Sequence, residues 1–212
     1  YWAIFHESSF INIELFYSIY NSISLAIVGG LFCIATATFI NYVLRIKRSK
    51  YLSFINKSIT SGYGIPGIVL ALGVLNLFLV IDNYFNILLT GSLIGLIFAY
   101  MVKFYALPNS SIESGFKKIP NILDDVASSL GKPKNKILNN IHIPLLKKSF
   151  LIAMLVFMIE VIKELPITLI LRPFNFNTLS VSAYSYASDE RMIEAAGPSI
   201  AIVMVCLDRK ST

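Results

Sequence analysis

"DDVASSLGKPKNKILNNIHIP", residues 124–144, is the longest polar stretch in a chain of 212 residues that is otherwise overwhelmingly apolar. Gly131, Pro133 and Pro144 punctuate it. Upstream, Asn121 reads as the cap of a helix whose third residue is Asp124, a short version of the capping box. Gly131 suits the left-handed residue that ends such a helix. Ile122, Leu123, Val126, Ala127 and Leu130 fall at i, i+1, i+4, i+5 and i+8, so one face is apolar. A second short helix is predicted to begin with Pro133 at its first position. It carries Ile137, Leu138 and Ile141 on one side and stops before Pro144. These apolar stripes must be covered by the protein's own helix ends, by the lipid interface or by a partner.

The rest of the chain says where this stretch sits. Hydrophobic residues make up 56% and charged residues 14%, against roughly 25% charged in an ordinary soluble domain. That composition is of an integral membrane protein. The start at Tyr1, with neither Met nor a signal peptide, predicts a piece of a longer chain. Cys33 and Cys206 both lie in apolar runs and read as small hydrophobes. His6 and His142 are far apart, with no Cys or carboxylate at ligand spacing. No phosphate loop or Ser/His/Asp pattern is present, which argues against an enzyme.

An all-α fold of about five spans follows from apolar runs near 22–44, 63–81, 85–107, 149–171 and 195–207, since a crossing takes about 20 residues. Fifteen of the 18 Lys and Arg residues fall in segments 45–62 and 103–148 or after the last span. Alternating the spans puts all three segments on one face, which the positive-inside bias makes cytoplasmic. The net charge of +6 therefore calls for no nucleic acid. Residues 108–148 become one long cytoplasmic loop, 172–194 a loop on the other side, and 1–212 a single transmembrane domain.

With a side assigned, the spacing of the opening stretch carries a resemblance. Asp125-Val126-Ala127, three residues, Gly131, nine residues, then Ile141-His142-Ile143-Pro144 resembles the signature loop of the permeases of binding-protein-dependent ABC importers of type I. Their pattern is Glu-Ala-Ala, three residues, Gly, nine residues, Ile, any residue, Leu, Pro. Asp125, Val126 and Ile143 depart from it conservatively; Val126 matters most, because a β-branched side chain replaces Ala in a close fit. "ELPITLILRPFNFNTLS" at 164–180, "YASDERMIEAAGPSIAIV" at 186–203 and "GYGIPGIVLALGVL" at 62–75 resemble the ferric-iron branch, and the likeness runs from about 21 to 205. The resemblance implies the C-terminal half of a two-half permease in a bacterial inner membrane. Its coupling helix would be built from Asp125, Val126, Ala127, Gly131, Ile141, Ile143 and Pro144. Implied partners are a cytosolic ATPase dimer, which alone holds ATP and Mg, a periplasmic solute-binding protein, a second permease half and lipid. Thiamine, phosphonate or another small solute is the alternative cargo, and an ATP-independent secondary transporter the alternative class.

Inside the fourth span, Glu160, Lys163 and Glu164 stand at i, i+3 and i+4, share a helix face and can pair. Either they snorkel to the interface or, with Arg172, they form a salt-bridge gate on the solute path. Tyr184, Tyr186, Asp189 and Glu190 on the outer side offer oxygens to a hard cation, or simply belong to an amphipathic helix. No resident metal site can be assigned.

Overall fold

The computed structural model describes residues 13–47 and 49–207, and every regular element among them is helical. Trp2, His6, Arg48, Arg209 and Lys210 lie outside the described residues, as does the side chain of Cys206. Helix α1 runs Ile13–Lys47 and is followed by α2, Lys50–Thr60, a 3₁₀ turn Ser61–Gly64, and α3, Gly67–Phe85. Then come α4, Leu93–Phe104, and α5, Ala106–Lys117, which form one bent unit with a 55° break. The polar stretch supplies α6, Ile122–Ser129, and α7, Lys134–Ile137, followed by a π turn Leu138–His142 and α8, Ile143–Leu145. Helices α9, Lys147–Lys163, α10, Pro166–Leu171, α11, Leu179–Ser188, and α12, Met192–Leu207, complete the chain.

Two helices, α1 and α3, are each long and apolar enough to cross a bilayer, and the bent α4–α5 pair makes a third. Their outward faces keep large apolar side chains, among them Leu31, Phe32 and Phe39 on α1 and Val69, Leu72 and Val80 on α3. That is what a lipid-facing bundle requires, because hydrocarbon exerts no drive to hide them. Inward, Ala26, Cys33, Ala71, Ala99, Phe104 and Phe157 form one core, and Ala37, Ile112, Phe116 and Leu146 a second near the basic end. Small residues allow the close approach. At Gly115 an added Cβ would overlap Ser149 Oγ and lie 2.7 Å from Leu146 Cδ2, so the α5 backbone packs directly on the side chains of Leu146 and Ser149 at the start of α9.

The third apolar run is corrected in register. The expected span at 85–107 begins in a turn, with Asn86 at φ 53° and Gly91 at φ +71°, and the helix continues to Lys117. The Asp82 carboxylate holds the turn by accepting from Leu89 N at 2.8 Å and Thr90 N at 2.9 Å. Hydropathy misplaced the helix because Pro108, Asn109, Ser110, Ser111 and Glu113 are polar. Yet Asn109 is buried, and its Oδ1 accepts from Asn41 Nδ2 at 2.7 Å, so its polarity is satisfied inside the helix pair. Residues 108–117 are thus helix, and the connecting segment starts at Lys118.

Candidate functional site

Two places gather polar chemistry: the segment after α5 at the basic end, and a set of helix breaks deeper in the bundle. At the basic end α6 forms without the predicted cap. Asn121 makes no side-chain capping bond, and Asp124 is turned inward instead. Its Oδ2 accepts from Arg45 Nε at 2.6 Å and its Oδ1 faces His142 Nε2 at 2.7 Å. Arg45 also donates to the carbonyls of Phe116 at 2.8 Å, Ile119 at 2.9 Å and Pro120 at 3.1 Å, so it pins the end of α5 and the start of α6 to α1. Tyr42 OH donates to Lys134 O at 2.6 Å and fixes α7 to the same helix.

His142 is fully buried, with the rings of Tyr42 and Phe116 each 5.4 Å from its own. Burial holds its pKa below the ordinary value; the Asp124 hydrogen bond and charge oppose this, and Arg45 adds to it. The neutral ring therefore donates Nε2–H to Asp124, while Nδ1 has no partner among the described residues.

The consequence is a helix tied to the bundle on one side with an uncovered face on the other. Ala127 is buried against the bundle, whereas Ile122, Val126 and Leu130 are 66%, 52% and 73% exposed. The apolar stripe does not pack on the protein's own helix ends. Gly131 at φ +70° ends α6 as predicted: its N–H bonds Ser128 O at 2.9 Å, and Lys132 N bonds Ala127 O at 3.1 Å. That is the paired closure of a Schellman motif. The second helix is corrected. Pro133 stands just before α7 as its cap residue, Ile137 is buried, and the chain does not stop at Pro144. It continues through the π turn, and Pro144 sits in the first turn of α8, where a missing N–H costs nothing. Asp125 and Ile143 are exposed beside the α6 face and Ile141 is half-buried.

Deeper in the bundle three helix pairs break near one another. Helix α3 starts at Gly67 after the 3₁₀ turn, α4 bends into α5 at Phe104–Tyr105, and α9 gives way to α10 at Glu164–Leu165. Breaks leave carbonyls without helical partners, and side chains fill the role. Thr168 Oγ1 and Ser180 Oγ each donate to Glu164 O at 2.8 Å. The Glu164 carboxylate accepts from Ile167 N at 3.3 Å and caps α10. Gly67 passes so close that an added Cβ would lie 2.8 Å from Glu164 Oε1.

Lys103 donates to Tyr63 O at 3.2 Å and to Ile65 O, occupying the carbonyls exposed ahead of α3. The sequence reading placed Lys103 in the cytoplasmic segment. It lies 14 residues before the end of α5, about 21 Å along the helix at 1.5 Å per residue. Lys163 pairs with buried Glu160 at 2.8 Å and not with Glu164, which is committed to its cap. Arg172 is not part of the cluster: it binds Asn177 Oδ1.

At the end opposite the basic one a cavity of about 270 Å³ opens between α1, α11 and the segment joining α10 to α11. Glu14, Tyr17, Asn21, Asn177, Ser182 and Tyr186 line it. Tyr186 OH donates to Glu14 Oε2 at 2.5 Å, and desolvation together with that carboxylate pushes its pKa up to about 12. Of the four outer oxygen donors read from sequence, only Tyr186 lines the cavity; Tyr184, Asp189 and Glu190 do not. Among the described residues no three His, Cys, Asp or Glu side chains come together as a metal site.

Comparison with known proteins adds a class to this geometry. No family model matches the chain. It is 22% identical over 146 residues to an Fe(3+)-transport system permease protein of Haemophilus influenzae, a match covering 67% of this chain and 27% of that protein. It is 24% identical over 189 residues to a putative 2-aminoethylphosphonate transport system permease protein of Salmonella typhimurium, covering 88% of this chain and 69% of that protein. A protein of the same description in Salmonella choleraesuis matches equally. The chain is similar to transport permeases. That agrees with the importer resemblance of residues 125–144 and with an all-α, membrane-embedded fold. The iron permease is much the longer protein, of which this chain matches 27%, and the cargoes named for these relatives, a ferric cation and a phosphonate that also carries an amine, differ in chemistry.

Proposed function

We propose that this chain is the membrane-spanning permease of an ATP-driven importer, set multi-pass in a bacterial inner membrane, with α6 as the element gripped by a cytosolic ATPase. The observation that carries the reading is the mismatch at α6. Its outer apolar face is uncovered, while its inner side is locked to α1 by Arg45 and Asp124 and, through α7 and α8, to α9. A helix so placed transmits force. When a partner displaces α6, α1 and α9 must tilt with it, because the Arg45 fork and the Tyr42 bond leave no slack. The chain itself carries out no hydrolysis; ATP and Mg belong to the two ATPase subunits. A periplasmic binding protein delivers the solute to the opposite end, and a second permease half completes the pathway.

For the cargo we favour ferric iron over a phosphonate. The outer cavity offers a carboxylate, phenols, amides and hydroxyls, and among the described residues no Lys or Arg lines it, although Arg172 and Arg191 contact the lining residues Asn177 and Tyr186 from outside. A hard cation prefers such oxygens, whereas a phosphonate dianion calls for Arg or Lys. Deeper down, Lys103 on its carbonyls and the Glu160–Lys163 pair form a closed gate, which a displaced α9 would open.

The test is uptake by vesicles holding the whole importer, supplied with ATP and its binding protein, comparing labelled ferric ion with labelled 2-aminoethylphosphonate. ATP-dependent iron entry is expected. Entry that runs on an ion gradient without ATP refutes the importer reading, and ATP-dependent phosphonate entry without iron entry refutes the cargo alone.

A further inference from the structure

We propose that the cavity between α1, α2 and α5 at the basic end seats the phosphate of an anionic phospholipid. The cavity holds about 730 Å³. Helix α2, which the composition of segment 45–62 did not announce as a helix, carries two stripes. Tyr51, Phe54, Ile55 and Ile59 fall at i, i+3, i+4 and i+8, and all are exposed. Lys50, Ser53 and Lys57 fall at i, i+3 and i+7 and line the cavity. One helix thus offers an apolar face suited to acyl chains beside a cationic face suited to a headgroup, the pairing expected of an interfacial element.

The cavity's charges are unequally spent. Arg45 is neutralised by Asp124, and Lys117 by Glu113 at 2.6 Å. Lys50 and Lys57 have no ion-pair partner among the described residues. A second, independent feature points the same way. Asn56, 7% exposed, lines the cavity; its Oδ1 accepts from Tyr105 OH at 3.1 Å, but its amide nitrogen has no partner among the described residues. That N–H group is left to donate to an acceptor entering the cavity. Ser53 adds a hydroxyl to the same wall. Two ammonium groups, an amide N–H and a hydroxyl form a donor set for phosphate oxygens. The neighbouring apolar stripe selects a phosphate that carries chains over one free in solution, and basic pockets at this depth are where anionic headgroups bind.

The experiment is native mass spectrometry of the intact, delipidated permease titrated with phosphatidylglycerol, phosphatidylcholine and inorganic phosphate. Each lysine near a membrane surface is worth about fivefold in affinity, so Lys50→Gln with Lys57→Gln is expected to weaken phosphatidylglycerol binding roughly 25-fold, with phosphatidylcholine unchanged. Glu113→Gln, which removes the cavity's carboxylate, should tighten the same lipid about fivefold, and it keeps the proposal testable if the double variant fails to fold. Phosphatidylglycerol affinities equal to wild type in both variants overturn the site. Displacement of the lipid by an equal concentration of inorganic phosphate overturns the lipid as its ligand.

Discussion

Replacing Asp124 by Ala tests whether α6 is held rigidly. The change strands two groups at once: the Arg45 side chain, 12% exposed, loses its carboxylate, and the fully buried His142 loses the acceptor of its N–H. A hydrogen bond to a charged group is worth about 1.5–3 kcal/mol, and a buried unsatisfied donor costs about 1–3 kcal/mol. Arg45 keeps its three carbonyl bonds, and the Asp124 site is 27% exposed, so water can enter the gap. The low ends therefore apply, together about 2.5 kcal/mol, which is on the order of a hundredfold in the opening equilibrium. Amide hydrogen exchange reads this equilibrium locally. Exchange across α6 should quicken on the order of a hundredfold in Asp124→Ala, while α9 beyond its first turn stays protected. In Asp124→Asn it should quicken about tenfold, since an amide oxygen still accepts one bond. Exchange in α6 within about threefold of wild type in the Ala variant would refute the clamp.

The remaining expectations follow from the same geometry. Burial holds His142 below its ordinary 6.5, so the opened segment binds more protons than the closed one beneath that value. The clamp is then at full strength above about pH 6.5 and weakens as pH falls through the interval below it; α6 protection, corrected for intrinsic rates, should drop between about pH 7 and about pH 5, and His142→Gln should flatten that dependence. A profile as steep in the Gln variant would contradict it. Lys163→Met leaves the buried Glu160 carboxylate unpaired and should cut iron uptake at least roughly tenfold, with Glu160→Gln restoring part of it in the double variant; wild-type uptake in the single variant removes the gate. Gly115→Ala drives a methyl into Ser149 and Leu146 and should cost about 1–3 kcal/mol, read as a lower Tm. Ser149→Gly in the same chain should recover much of it, and an unchanged Tm would deny the close approach of α5 and α9.

The sequence announced what local spacing encodes. The all-α membrane fold followed from apolar runs, and α6 with its Gly131 terminus followed from period and turn chemistry. What it hid depends on partners distant in sequence. Asp124 looked like a local cap because nothing nearby shows that Arg45, 79 residues away, and His142, 18 residues away, compete for it and win. His142 was set aside for lacking a carboxylate at ligand spacing, and the fold delivers one from α6. Helix α5 was taken for loop because Asn109 is polar, although Asn41 satisfies it inside the bundle. Once that register slipped, Lys103 was counted among the cytoplasmic lysines, although it lies beside the break ahead of α3. Helix α2 was legible in principle: Ser49 before Tyr51, Phe54, Ile55 and Ile59 is a cap followed by a helical stripe, masked by the lysines that assign the segment its side.

The central claim is that the exposed face of α6 meets an ATP-hydrolysing partner. A photocrosslinking residue placed at Val126 in intact cells addresses it directly, because that side chain is half-exposed on the uncovered face. The account predicts an adduct with an ATPase subunit that is lost on Gly131→Pro; adducts only with lipid or with the permease's own helices would contradict it.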